Sequence, residues 1–294
     1  GGGFLFGLAL GWGTSEALVI AGAVGISSSA IVTKLLIELR RLANPESRLI
    51  LGVIVVEDLF LALYLALLAP VLGEADGAGE AAREFAIAFV FLIALIALAR
   101  WGARWVGPLV SSRDDELLTV SFLGFAVLVA GVAAELGVSD AIGAFLAGLV
   151  LAETVVAGRI TRLVLPLRDA FAALFFFTFG LTIDPADAGA VAVPVVVAVV
   201  MSIVLNLAAG LLAGRVEGLD RVGAANVGFT ILGRGEFSLI LATLGVAAGL
   251  DERIGPFVAL YVLILALLGP ILAARSESLA RFVPRRLLGA RSAG

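Results

Sequence analysis

Two adjacent carboxylates, Glu57 and Asp58, stand in the middle of the apolar run Leu49–Leu72. If that run is a helix entering a membrane near Arg48, a rise of about 1.5 Å per residue brings Asp58 about 15 Å deep. That is the middle of a hydrocarbon core about 30 Å thick. A charge there costs about 2.5–3.5 kcal/mol on insertion scales, so such groups persist where they perform a function. Neighbouring positions on a helix point about 100° apart, so the two carboxylates do not share one lipid-facing side. Burial favours the protonated acid, whereas a bound cation favours the ionised one. One carboxylate contested by a proton and a metal ion is the minimum chemistry of an ion exchanger. The competing reading of Glu57 and Asp58 is structural, an ion pair with an arginine from another helix.

Other residues have the types and spacing to join that chemistry. Gly25-Ile26-Ser27-Ser28-Ser29 interrupts the preceding apolar run, where glycine adds backbone entropy and hydroxyls compete for backbone bonds. Carbonyls and hydroxyls freed at membrane depth are suited to a hard cation, although small residues also serve close helix packing. Gly233-Arg234-Gly235-Glu236 lies within the run 226–249 and places Glu236 about 15 Å deep by the same count. Two glycines around an arginine predict a second break, with Arg234 either neutralising exposed helix carbonyls or pairing with an acid. Of the remaining intramembrane polar residues, Asn206 is expected to hydrogen-bond between helices. Glu153 is expected to snorkel or pair near Arg159, and Lys34 to reach the interface. Phe175–Phe177 and Gly180 read as packing, and Asp184 and Asp187 as a solvated loop.

The elements that position these groups are long apolar segments. The chain has 294 residues, 61% hydrophobic and 15% charged, with a mean hydropathy of +1.14 and 35 glycines. A soluble domain is about 45–50% apolar. One partial span at 1–12 and nine full spans are predicted, at 14–37, 49–72, 82–106, 116–136, 140–157, 166–182, 189–213, 226–249 and 256–274. The result is an all-α integral membrane bundle spanning 1–274, followed by a basic tail at 275–294. Arginines at 40, 41, 48, 104, 113, 159, 162, 215 and 221 alternate with acidic loops at 73–84, 184–187 and 251–252. The positive-inside rule makes the arginine side, and the C-terminus, cytoplasmic, in a cytoplasmic (inner) membrane. The two interrupted spans, 14–37 and 226–249, then run in opposite directions. Paired broken helices in inverted halves point to a transport site at the midplane. With no His and no Cys, thiol chemistry, histidine relays and the usual zinc sites are excluded. The net charge of −4 gives no sign of nucleic-acid binding. The chain opens in hydrophobic sequence at Gly1-Gly2-Gly3-Phe4, as a fragment would.

Taken in order, several stretches resemble the monovalent cation:proton antiporter superfamily, in the branch of Kef-type potassium efflux systems and sodium or potassium/proton exchangers. They are Gly25–Leu36, Val56-Glu57-Asp58-Leu59, Gly143–Glu153, Pro166–Asp169 with Phe175–Asp184, and Gly233–Phe237. The resemblance covers essentially the whole chain. It implies a thirteen-helix fold with a dimerisation bundle and a core of two crossing, discontinuous helices, of which this chain would lack the first three helices and part of the fourth. It also implies a homodimer and an elevator-like movement. It puts the essential aspartate at Asp58, the variable neighbouring position at Glu57, and the unwound segment at Ser27, Ser28 and Ser29. Many relatives carry a lysine in the helix that here holds Asn206, so the ion pair it makes with the residue before the aspartate is not expected in this chain.

The resulting expectation is a non-enzymatic, cofactor-free antiporter that exchanges K+ or Na+ for H+. Asp58 would hold the transported ion, with Glu57 and Ser27–Ser29 beside it. Arg234, Glu236, Gly233 and Gly235 would support the crossing. Expected partners are the cation, H+ and the lipid bilayer. A gated potassium channel would need a carbonyl filter, for which no signature is visible. A sodium-coupled organic-anion symporter would need a roomier cavity.

Overall fold

The computed structural model describes residues 1–72, 78–136, 140–181 and 185–281. Glu74, Asp76, Asp184 and the tail arginines 285, 286 and 291 lie outside the described residues. So do the side chains of Glu80, Glu84, Phe175, Phe176 and Asp187. The described residues form helices joined by short turns, with no strand among them. Contacts divide the chain into two compact units, Phe60–Thr178 and the remainder, with boundaries inside two long helices.

The larger unit carries the residues of interest. It opens with α1 (Gly2–Leu10), α2 (Thr14–Gly25), α3 (Ser29–Glu38) and α4 (Pro45–Leu72), whose second half belongs to the other unit. Proline starts α4, at the one helical position where its missing N–H costs nothing. The break predicted at 25–29 is present: Ile26 is extended between α2 and α3, and Ser28 caps α3 by accepting from Ile31 N at 3.3 Å.

In the smaller unit, α5 (Ala78–Ala97) passes through a π-turn at Leu98–Gly102 into α6 (Ala103–Val110). The span expected at 82–106 is therefore helical throughout, but changes from α to π and back. Then come α7 (Asp115–Glu135), α8 (Asp140–Ala152) and α9 (Ala157–Leu181). Helix α9 starts nine residues before the span expected from hydropathy at 166, because its first turns are polar. Arg159 there donates to Ser112 O at 2.7 Å and pairs with Asp115. Phe122, Leu118, Val150 and Ile160 form the buried centre of this unit, while Val120 and Val127 on α7 remain exposed, as lipid-facing residues would.

The larger unit resumes with α10 (Pro185–Glu217), α11 (Arg221–Thr230), α12 (Glu236–Ala247), α13 (Ile254–Ala274) and α14 (Ser276–Ala280). Residues 231–235 form the second predicted break. Among the described residues, four helices are long and apolar enough to cross a membrane: 14–38 counted across its break, Asp115–Glu135, Gly189–Glu217 and Ile254–Ala274.

Helices α10 and α11 approach so closely that a Cβ on Gly228 would lie 2.7 Å from Asn206 O and 2.8 Å from Leu207 Cα. Small residues at such crossings replace the hydrophobic driving force that lipid removes. Gly228→Ala must push the two backbones apart and should cost about 1–3 kcal/mol, read as a lower melting temperature in detergent. An unchanged value would show that the contact is slack.

Asp251 stands in the turn before α13. It accepts from Arg253 N at 2.9 Å and Arg253 Nε at 2.8 Å, and the guanidinium lies over Trp12 at 4.6 Å. The hydrogen bond from the Arg253 side chain holds this carboxyl below its ordinary value. Its contribution to stability is thus present above the ordinary aspartate value of about 3.9 and is lost as pH falls through the lowered one. Asp251→Asn should lower the melting temperature slightly at neutral pH, with the gap closing in strong acid; a gap independent of pH would contradict this.

Candidate functional site

The two broken helices cross. Helix α2 packs on α12 and α3 on α11, so the pair run antiparallel, and backbone bonds join the breaks. Ser28 N donates to Gly233 O at 2.8 Å, and Ser27 Oγ donates to Ile231 O at 2.7 Å. A Cβ on Gly235 would lie 2.5 Å from Ser28 Oγ, which is why glycine stands at that point of the crossing.

Four half-helix ends meet here, and each carries partial charge. The carbonyl ends of α2 and α11 are served by Arg234, which is 3% exposed. Its Nε donates to Val24 O at 3.0 Å, and its Nη1 donates to Ile231 O at 2.9 Å and Leu232 O at 3.2 Å. Of the two alternatives for Arg234, the structure selects the helix carbonyls: among the described residues it makes no ion pair with an acid. The amide ends of α3 and α12 meet carboxylates. Glu57 Oε2 accepts from Ser27 N at 3.0 Å, and Glu236, in the first turn of α12, accepts from Ser28 Oγ at 3.3 Å.

Asp58 is different. Its Oδ1 is buried and has no hydrogen-bond partner, and both Glu57 and Glu236 lie within electrostatic reach. Three carboxylates, Glu57, Asp58 and Glu236, therefore interact electrostatically through Asp58. No group of three or more acids or other strong ligands that could hold a metal forms among the described residues. What the structure shows instead is one buried carboxylate oxygen without a hydrogen bond, with two further carboxylates within electrostatic reach.

Glu57 also lines a crevice of about 1240 Å³ that runs along α4 from Asn44 and Arg48, with Glu217 at its edge and Leu49 and Val56 on its wall. The crevice opens among the residues of the arginine-bearing loops.

The remaining sequence candidates fall away from the crossing or behave differently. Ser29 begins α3 and is half-buried. Lys34 is exposed beside Glu38 at 3.9 Å. Glu153 sits in the exposed turn after α8, outside any helix. Asn206 was expected to bond between helices; its amide instead donates to Ser202 O, one turn earlier in its own helix, at 2.8 Å.

Two residues that bond into the crossing have no distinctive sequence signal. Tyr261 is fully buried; its hydroxyl shares a 2.7 Å bond with Ser202, donates to Val24 O at 3.3 Å and accepts from Arg234 Nε at 3.2 Å. Ser238 Oγ donates to Ala23 O at 2.7 Å. A tyrosine or serine in an apolar helix is too common to stand out alone.

Similarity to known proteins extends over most of the chain. The family described as "Sodium/hydrogen exchanger, transmembrane" matches residues 1–274. The chain is 43% identical over 282 residues to the K(+)/H(+) antiporter subunit KhtU of Bacillus subtilis, covering 96% of this chain and 70% of that protein. It is 32% identical over 273 residues to the ammonium/H(+) antiporter subunit AmhT of Alkalihalophilus pseudofirmus, covering 92% and 69%. With the putative cation/proton antiporter YbaL of Escherichia coli it shares 33% over 279 residues, covering 91% and 50%.

Proposed function

Because the chain belongs to the sodium/hydrogen exchanger family, we propose that it is a secondary antiporter exchanging a monovalent cation, K+ ahead of Na+, for H+ by alternating access. The observation that carries this reading is the buried, unpartnered Oδ1 of Asp58 within electrostatic reach of Glu57 and Glu236. Asp58 holds either the proton or the cation, because the charge it carries satisfies only one of them in a site of low dielectric. Glu57, between the crevice and the crossing, takes a second proton or passes the ion inward. Ser27, Ser28 and the carbonyls of the breaks complete the coordination. The order K+ before Na+ rests on the named cation of the 43% identical relative. The arginine-bearing loops and the tail from Arg275 face the cytoplasm across the inner membrane, and the working unit is a homodimer.

The test is exchange in proteoliposomes loaded with a pH-sensitive dye, with the membrane potential clamped. After a proton gradient is imposed, addition of K+ or Na+ should dissipate it in a protein-dependent, saturable way. A cation current without proton movement would favour a channel. Cation uptake only with an organic acid would favour a symporter. Either result would overturn the antiport reading.

A further inference from the structure

Away from the crossing, the larger unit buries a second polar cluster. Glu46, Ser47, Asn226, Thr230 and Ser276 are each 0–6% exposed. Arg41 Nη1 donates to Asn226 Oδ1 at 2.6 Å, to Ala273 O at 2.8 Å and to Ser276 Oγ at 3.1 Å. On its other side Asn226 Nδ2 donates to Glu46 Oε1 at 2.6 Å, and Asn44 Nδ2 donates to the same oxygen at 3.0 Å. Thr230 Oγ1 adds a bond to Asn226 Oδ1 at 3.0 Å. Asn226 suits this place because it presents an acceptor to a guanidinium and a donor to a carboxylate at once; the flipped amide would oppose both.

The cluster joins elements that carry the transport site but lie far from it in sequence. Glu46 is in the first turn of α4, twelve residues and about 18 Å before Asp58. Asn226 is one turn before the end of α11, directly upstream of Ile231 and Gly233, whose carbonyls receive Ser27 and Ser28. A slide of α4 by one residue, about 1.5 Å, would pull Glu57 away from Ser27 N and lift Asp58 off the crossing. Ser47 Oγ, donating to Arg41 O at 2.5 Å, closes the α3–α4 turn against such a slide.

We propose that Asn226, with Glu46 and Arg41, is a positioning cluster that sets the axial register of α4 against α11, and through it the affinity for the transported cation. This rests on the antiport reading of Asp58. None of the three touches the ion; they act on its site through two helices.

The experiment is a cation titration of proton exchange in proteoliposomes, comparing the unaltered protein, Asn226→Asp, Glu46→Gln and the double variant. Asn226→Asp keeps the acceptor for Arg41 but sets two carboxylates against each other, so the half-saturating cation concentration should rise about tenfold with little change in maximal rate. Glu46→Gln still accepts from Asn226 and should stay within about threefold. In the double variant the glutamine amide donates to the new carboxylate, and half-saturation should return close to the original. A merely structural cluster would not give that reversal. If Asn226→Asp does not accumulate in membranes, Glu46→Ala against Glu46→Gln gives the same contrast. The inference is overturned if the single variant saturates like the unaltered protein, or if the double is no better than the single. If the unaltered protein itself shows no cation-coupled exchange, the antiport reading fails and this inference falls with it.

Discussion

Asp58→Asn should abolish cation-dependent proton exchange, with a loss of at least about 100-fold, because it removes the group that proton and cation contest. The substitution is isosteric, and the amide retains an acceptor at the Oδ1 position. Charge and titration are therefore what change, not shape. In the parent, the carboxylates of Glu57 and Glu236 lie within electrostatic reach of Asp58. In the variant, Glu57 and Glu236 remain, each held by a serine group of the break, but the buried carboxylate oxygen without a hydrogen bond is gone. Two measurements check this. Dye dequenching on addition of K+ or Na+ should vanish. The thermal stabilisation of the purified protein by saturating cation, about 2.7 kcal/mol at 100 times Kd, should vanish with it. Full exchange by Asp58→Asn would move the ion site elsewhere and leave the buried Oδ1 without a role.

Arg234→Met should destabilise the protein by about 3–5 kcal/mol and prevent transport, the usual cost of truncating one member of a buried charged network. A methionine of similar length fills the space but leaves Leu232 O without its donor, while Val24 O keeps the Tyr261 hydroxyl and Ile231 O keeps Ser27 Oγ. An unsatisfied buried acceptor costs about 1–3 kcal/mol, so the lost carbonyl bond supplies part of that total. The acidic side loses its balance as well, since Glu57, Asp58 and Glu236 would share the crossing with no fixed positive charge. Arg234→Lys should recover only part of the stability, because an ammonium lacks the planar fork that reaches Val24 on one side and Ile231 on the other. Tyr261→Phe, which removes only the hydroxyl bonded to Arg234, Ser202 and Val24, should cost about 1 kcal/mol. Melting curves in detergent, together with yield in membranes, rank the three variants. Arg234→Met melting like its parent would show that water reaches the Leu232 carbonyl.

Much of the site was legible in the residues because it violates its surroundings. A carboxylate pair at the centre of an apolar run, three serines in another and a glycine-flanked arginine in a third are local anomalies. The cost of polar groups in hydrocarbon makes such anomalies informative one residue at a time. Both breaks lie where glycine and serine placed them; the long segments coincide with helices but not with their ends, since α8 stops at Ala152, α9 starts at Ala157, α10 covers Pro185–Glu217 and α11 starts at Arg221.

Partner choice was not legible. That Arg234 serves carbonyls and not an acid, that Asn206 bonds within its own helix, and that Tyr261 reaches Arg234 are decided by which helix ends meet. Separations such as the 210 residues between Arg234 and Val24 carry no sequence pattern. The cluster of Arg41, Glu46 and Asn226 was hidden for the opposite reason: polar residues near the ends of apolar segments look like ordinary solvated loops until the fold buries them. Composition and spacing thus determine which groups must avoid lipid and where the helices break. The tertiary structure alone decides which charge each of those groups meets, because hydrogen bonds and electrostatic interactions depend on distances through space that the order of residues does not encode.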